Sequence, residues 1–182
     1  MPHRPTRDAD FLGFGEMSAK LLATARCHLQ LDVGYGDAVT PGPVEAVYPT
    51  LLDDLPAPRL RVYPRTTVVA EKLEAIVSLG MANSRMKDYF DLRALAGEGN
   101  VDAALLADAI AATFMRRNTP ITKDLAIGLS DEFAQDAAKR AQWQAFLNKS
   151  RLTAPALDKV VAEIREFTRE PLRLAAQRTV GL

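Results

Sequence analysis

The chain has 182 residues, 48% of them apolar, with 23 basic and 23 acidic side chains, which excludes intrinsic disorder and collagen-like repeats and describes one globular domain or two small ones. A chain of this length buries roughly 70% of the surface its unfolded form exposes and needs no disulfide or metal staple, in keeping with the single Cys27, which points to a reducing compartment. Zero net charge argues against bulk attraction to nucleic acid, no apolar run approaches the roughly 18 residues of a membrane span, and the opening MPHRPTRDAD is charged and Pro-broken where a signal peptide is apolar, so the expected location is cytoplasmic, away from membranes.

Eight of the eleven prolines fall within the first 64 residues, so strands and loops are expected there and helices afterwards. Asp8-Ala9-Asp10-Phe11-Leu12 reads as a short strand ended by Gly13 and Gly15. Glu16 to Arg26 fits helix or strand. Leu29-Gln30-Leu31-Asp32-Val33 alternates with period two, as a half-buried strand does, and Arg59-Leu60-Arg61-Val62-Tyr63 repeats the alternation. The connection between them, with Pro41, Pro43, Pro49, Pro56 and Pro58, is too irregular for a central strand.

From Thr66 the period becomes helical. Val68, Val69, Lys72, Leu73, Ile76 and Leu79 predict a helix with threonines at its N-cap and Gly80 at its stop. Further helices are expected over Ser84 to Ala96, Val101 to Arg117 and Asp131 to Lys149. A fifth has Pro155 in its first turn and a stripe of Leu157, Val160, Val161, Ile164 and Phe167. The fold class is α+β, divided at residues 1–64 and 65–182. Positions 139–178 hold nine Lys or Arg against four Asp or Glu, a local excess suited either to a phosphate backbone or to a solvated helical surface.

Several side chains could carry chemistry. Asp8 and Asp10, at i and i+2 of a strand, point to one face and lie about 6.6 Å apart along it, so they either share a divalent ion or are exposed turn acids. Asp32 between Leu31 and Val33 is either a third carboxylate converging on them or an acid on a solvent face; three such groups can hold metal and leave one to deprotonate a hydroxyl. Lys72 in an otherwise apolar helix, and Arg85, Lys87, Asp88 and Asp91 on the next, either stabilise phosphate charge or form local ion pairs. His3 and His28 lack partners at metal-ligand spacing, Cys27 reads as an apolar filler, and Phe114, Phe133, Trp143 and Phe146 read as core.

The segments RPTRDADFL at 4–12, LQLDVGYGDAVTPGP at 29–43 and YPRTTVVAEKLEAIVSLGMANSRMKDYFDL at 63–92 together resemble the AbiEii/AbiGii toxin family of nucleotidyltransferases, in the DNA polymerase β-like superfamily. The resemblance implies a small mixed β-sheet of a nucleotidyltransferase-like core followed by a helical bundle. It assigns metal binding and catalysis to Asp8, Asp10 and Asp32, and nucleotide binding to Lys72, Arg85, Lys87, Asp88 and Asp91. It implies Mg²⁺ or Mn²⁺ as cofactor, a nucleoside triphosphate as substrate, tRNA or protein as acceptor, and a cognate antitoxin as partner.

Two departures accompany it. The Gly-Gly or Gly-Ser phosphate turn that the superfamily places about ten residues before its D-x-D is not present ahead of Asp8, and the stretch between Gly15 and His28 is short, so the chain reads as N-terminally truncated and internally shortened. Such a turn supplies backbone N–H donors to the triphosphate. The alternative expectation is therefore an inactive remnant that binds an antitoxin, an RNA or a copy of itself.

Overall fold

The computed structural model describes residues 38–50, 54–99, 101–122 and 124–179; the expected strands at 8–12 and 29–33, the 16–26 segment, His3, Cys27, His28 and the carboxylates Asp8, Asp10 and Asp32 lie outside them. Within the described residues the alternating segment at 59–62 forms the expected strand, and its partner comes from the Pro-rich connection. Val44–Val47 (β1) pairs antiparallel with Arg59–Val62 (β2), in a register that sets Glu45 across from Arg61 and Ala46 across from Leu60. Opposite charges facing each other across a ladder contribute roughly 0.2–1 kcal/mol. The connection is thus irregular only in part: Pro43 precedes the strand and Pro49 follows it, leaving four residues whose N–H groups can pair.

A two-stranded ladder is marginal alone, and this one is tied to the helices through Thr40. The Thr66 and Thr67 hydroxyls each donate to the Thr40 carbonyl at 3.0 Å, and the Thr40 N–H donates to Thr67 Oγ1 at 3.2 Å. The two threonines therefore do not cap the first helix, as their position suggested. That helix, Arg65–Leu79 (α1), has Pro64 at its N-cap without a side-chain bond, and the hydroxyls serve the preceding loop instead.

The other predicted helices form as Met86–Gly97 (α2), Ala103–Arg116 (α3) and Leu157–Thr179 (α6). The fourth is two helices, Asp131–Gln135 (α4) and Ala137–Ser150 (α5). The break is at Asp136, which leaves helical geometry at ψ 130° and accepts the Lys139 N–H at 2.9 Å, starting a new helix. Ser130 caps α4 in the same way through the Phe133 N–H. With the two-stranded sheet ahead of six α-helices among the described residues, the fold is α+β.

The core lies between α1, α3 and α6, where Val69, Leu73, Ile76, Leu106, Ile110, Phe114, Val160 and Ile164 are buried. Phe133 and Trp143 join it, as expected of them. Two glycines permit the tight fit of the α1 C-terminus against the turn Ile127–Leu129. Gly80 has φ 49°, and a Cβ there would stand 2.5 Å from Ile127 Cγ2; a Cβ on Gly128 would stand 2.5 Å from the Ile76 carbonyl oxygen. Tyr89 on α2 locks the same turn, donating to the Gly128 carbonyl at 2.9 Å and stacking on Phe133 with centroids 5.2 Å apart. At the other face of α1 the buried Glu74 accepts from Arg117 and from Thr119, each at 2.6 Å, which fixes the end of α3.

Candidate functional site

The site is assembled by the reversal between α1 and α2. Gly80 ends α1, a 3₁₀ turn over Gly80–Ala82 follows, and the buried Asn83 accepts the Arg85 N–H on its Oδ1 at 2.8 Å. This side-chain turn starts α2 pointing back along α1. Asn83 is held in turn by Lys139 of α5, whose ammonium donates to the Asn83 carbonyl at 2.9 Å and sits 5.4 Å above the Phe133 ring. Lys139 is buried, so part of the basic excess in the C-terminal segment is structural. Four more of its cations are ion-paired, Arg165, Arg169, Arg173 and Arg178 with Asp131, Glu166, Glu170 and Asp108. The exposed Glu170–Arg173 pair shifts both groups in the usual sense, as the hydrogen bond from Arg173 lowers the Glu170 pKa and raises that of Arg173.

The antiparallel return brings Lys72 to α2. Its ammonium donates to Asp88 Oδ1 at 2.9 Å and to Asp91 Oδ2 at 2.7 Å, two carboxylates one helical turn apart. Arg85 Nε lies 3.0 Å from the second Asp88 oxygen, in a charge contact whose N–H is not aligned as a hydrogen bond. Burial is graded across the cluster: side-chain exposure is 3% for Asp88, 17% for Lys72, 20% for Asp91 and 61% for Arg85. The deeply placed Asp88 is balanced by Lys72 and Arg85, and burying a charge without such partners is costly. The open end of the cluster is cationic.

That end forms one wall of a cavity of about 490 Å³, lined by Lys72, Ser84, Arg85, Lys87 and Asp88, with Met86 beside them and Gln142, Ala145 and Phe146 of α5 opposite. Of the five α1 and α2 positions singled out from the sequence, four line the cavity, and Asp91 braces one of them from behind. Lys72 pairs across helices with Asp88 and Asp91, while Arg85 and Asp88 form a local i,i+3 pair.

Sequence reasoning missed the α5 wall and the Lys139–Asn83 brace. Phe146 was read as core, and it is half-buried, lying edge-on to Phe90 at 5.9 Å and tilted to Trp143 at 5.7 Å. A signal existed in the spacing, because Gln142 and Phe146 at i and i+4 share a face with Ala145, but nothing in it said which helix that face would meet.

Chemically, the cluster holds an ammonium fixed by two carboxylates with a largely exposed guanidinium at its mouth, an arrangement suited to an anion. It is not suited to a metal ion, since the Lys72 ammonium already occupies the place between Asp88 and Asp91 that a cation would take. Among the described residues, no group of three or more His, Cys, Asp or Glu side chains is placed to hold a metal. Among these residues, too, no helix is long and apolar enough to cross a membrane.

The sequence model of one protein family matches residues 16–166, and its description is "Nucleotidyl transferase AbiEii toxin, Type IV TA system". The matched span contains Asp32, Lys72, Arg85, Lys87, Asp88 and Asp91 and begins after Asp8 and Asp10. No curated protein matches the chain, and no solved structure does.

Proposed function

The chain belongs to the AbiEii family of nucleotidyl transferase toxins of type IV toxin–antitoxin systems, and from that membership we propose that it transfers a nucleotide from a nucleoside triphosphate to a hydroxyl of tRNA or of a protein, under the control of a cognate antitoxin. The observation that carries this reading is the Lys72–Asp88–Asp91 cluster at the base of a cation-lined cavity, inside the matched span. In the reaction the acceptor oxygen attacks the α-phosphorus, its proton passes to a carboxylate, the bond from that phosphorus to the bridging oxygen breaks, and pyrophosphate leaves.

The residues of the cavity would serve by position and charge. Lys72, locked by two carboxylates, presents its remaining N–H to phosphate from a fixed point. Arg85, largely exposed, can leave Asp88 to take two phosphate oxygens at once, and Lys87 adds a third cation to the wall. Asp88 and Asp91 act as positioning residues for Lys72. Asp8, Asp10 and Asp32, outside the described residues, are proposed to hold Mg²⁺ or Mn²⁺, which when bound supplies positive charge to the phosphates; Asp32 is proposed as the proton acceptor.

The test is transfer of label from each α-labelled triphosphate to total tRNA or protein in the presence of Mg²⁺ or Mn²⁺. Transfer that Asp32→Ala and Asp8→Ala abolish supports the reading; no transfer to any acceptor with either metal counts against it. A second reading, a module that binds antitoxin, RNA or itself without catalysis, is favoured by one observation, that the matched span starts after Asp8 and Asp10. The melting temperature separates the two, because a ligand bound only by the folded state must raise it: a rise with magnesium triphosphate removes the second reading.

A further inference from the structure

The cavity has two unlike walls, and the proposed function uses only the cationic one. Opposite Arg85 and Lys87 stand Gln142, Ala145 and Phe146, three residues on one face of α5. The Phe146 ring is held from two sides, by Phe90 at 5.9 Å and by Trp143 at 5.7 Å, and it is still only half-buried. An aromatic ring fixed in place and left partly open loses little conformational freedom when a flat ligand lies on it. Ala145, exposed beside it, leaves the approach clear. Gln142 is oriented as well: its Oε1 accepts from the Lys139 ammonium at 3.4 Å, which leaves the NH₂ group as the end that can donate to a ligand.

Resting on the triphosphate reading of the cationic wall, we propose that α5 is the base-recognition wall of the site, with the heteroaromatic base stacking on Phe146 and a ring nitrogen or carbonyl acceptor of the base receiving a hydrogen bond from the Gln142 amide. Anion at one wall and aromatic ring with amide donor at the other are the two halves of a nucleotide. A cavity of about 490 Å³ lies within the range of small-ligand sites. Stacking favours every base, and the amide donors favour those that present an acceptor to them, so Phe146 supplies affinity and Gln142 supplies discrimination.

The experiment is calorimetric titration of the full chain, in Mg²⁺, with each of the four ribonucleoside triphosphates and with inorganic tripolyphosphate, which carries the anion and no base. The wild type is expected to bind at least one nucleotide about tenfold or more tightly than tripolyphosphate. Phe146→Ala should bring that nucleotide close to tripolyphosphate and leave tripolyphosphate itself unchanged, Phe146→Trp should restore the gap, and Gln142→Ala should compress the ranking among the four. Because Phe146 also packs on two aromatic rings, Ala145→Phe gives a second route: on an exposed position it fills the approach and should weaken nucleotide binding selectively. Equal binding of nucleotides and tripolyphosphate by the wild type, or equal losses for both ligands in Phe146→Ala and Ala145→Phe, overturns the α5 assignment while leaving the cationic wall standing. Failure of tripolyphosphate and nucleotides alike to bind overturns the triphosphate reading and this inference with it.

Discussion

Lys72 shows how a single side chain changes meaning between sequence and structure. In an apolar helix it reads as a residue whose stem is buried and whose ammonium is wet; in the fold its ammonium is shared by Asp88 and Asp91 of the next helix. Lys72→Met should therefore leave a nearly buried Asp88 with only the outward Arg85 for charge balance. Because Lys72 and Asp91 retain some exposure, a loss of about 2–3 kcal/mol is expected, below the value for a fully buried pair, read as a Tm lower by roughly 5–10 °C. Asp91→Asn should cost less. The residue types and their helical spacing were legible in the sequence, but which carboxylates would meet Lys72 was not, because that depends on the geometry of the Gly80–Asn83 reversal. Tyr89 carries the pH dependence at this scale. Burial, with the Asp88 charge as a smaller cause, raises its pKa above the ordinary tyrosine value, so the folded state keeps the proton that the unfolded chain gives up. Its contribution is complete below pH of about 10 and is lost as pH rises beyond that. Tyr89→Phe, which strands the Gly128 carbonyl, should cost roughly 1–2 kcal/mol at neutral pH, and the gap to wild type should narrow in denaturant titrations above pH of about 10.

Among the elements, the helices over 65–79, 86–97, 103–116 and 157–179 follow the apolar period of the sequence to within a few residues at each end. Two local features did not. The strand Val44–Val47 was hidden among prolines, since its four residues become a strand only through pairing with Arg59–Val62, a partner twelve residues farther along. The break at Asp136 was hidden because an acid between alanines and glutamines looks like an exposed position of one long helix, and its capping role exists only once the backbone has left helical geometry. Asp136→Ala removes that cap and is expected to destabilise the protein by about 1 kcal/mol, measured by urea unfolding. Since α5 bears Lys139, Gln142 and Phe146, the same variant should also loosen the wall that α5 contributes to the cavity.

For the molecule as a whole, a neutral chain divides its charge by purpose. In the basic C-terminal segment Lys139 is buried and Arg165, Arg169, Arg173 and Arg178 are ion-paired, while the short tract from Lys72 to Lys87 gathers cations at one cavity. Family membership was legible in the sequence because motif spacing along α1 and α2 is local. The opposite wall was not, because it is brought by a helix more than fifty residues away. The central claim is that this cavity takes the triphosphate, and the most direct measurement is the dissociation constant of magnesium nucleoside triphosphate for the wild type and for the Arg85→Ala/Lys87→Ala double variant. Removing two cations from the mouth should weaken binding by tenfold or more, each charge-assisted contact contributing roughly 1.5–3 kcal/mol, in a variant whose folding is checked by its melting curve because Arg85 also contacts Asp88. An unchanged dissociation constant in a folded double variant would place the triphosphate elsewhere and contradict the account.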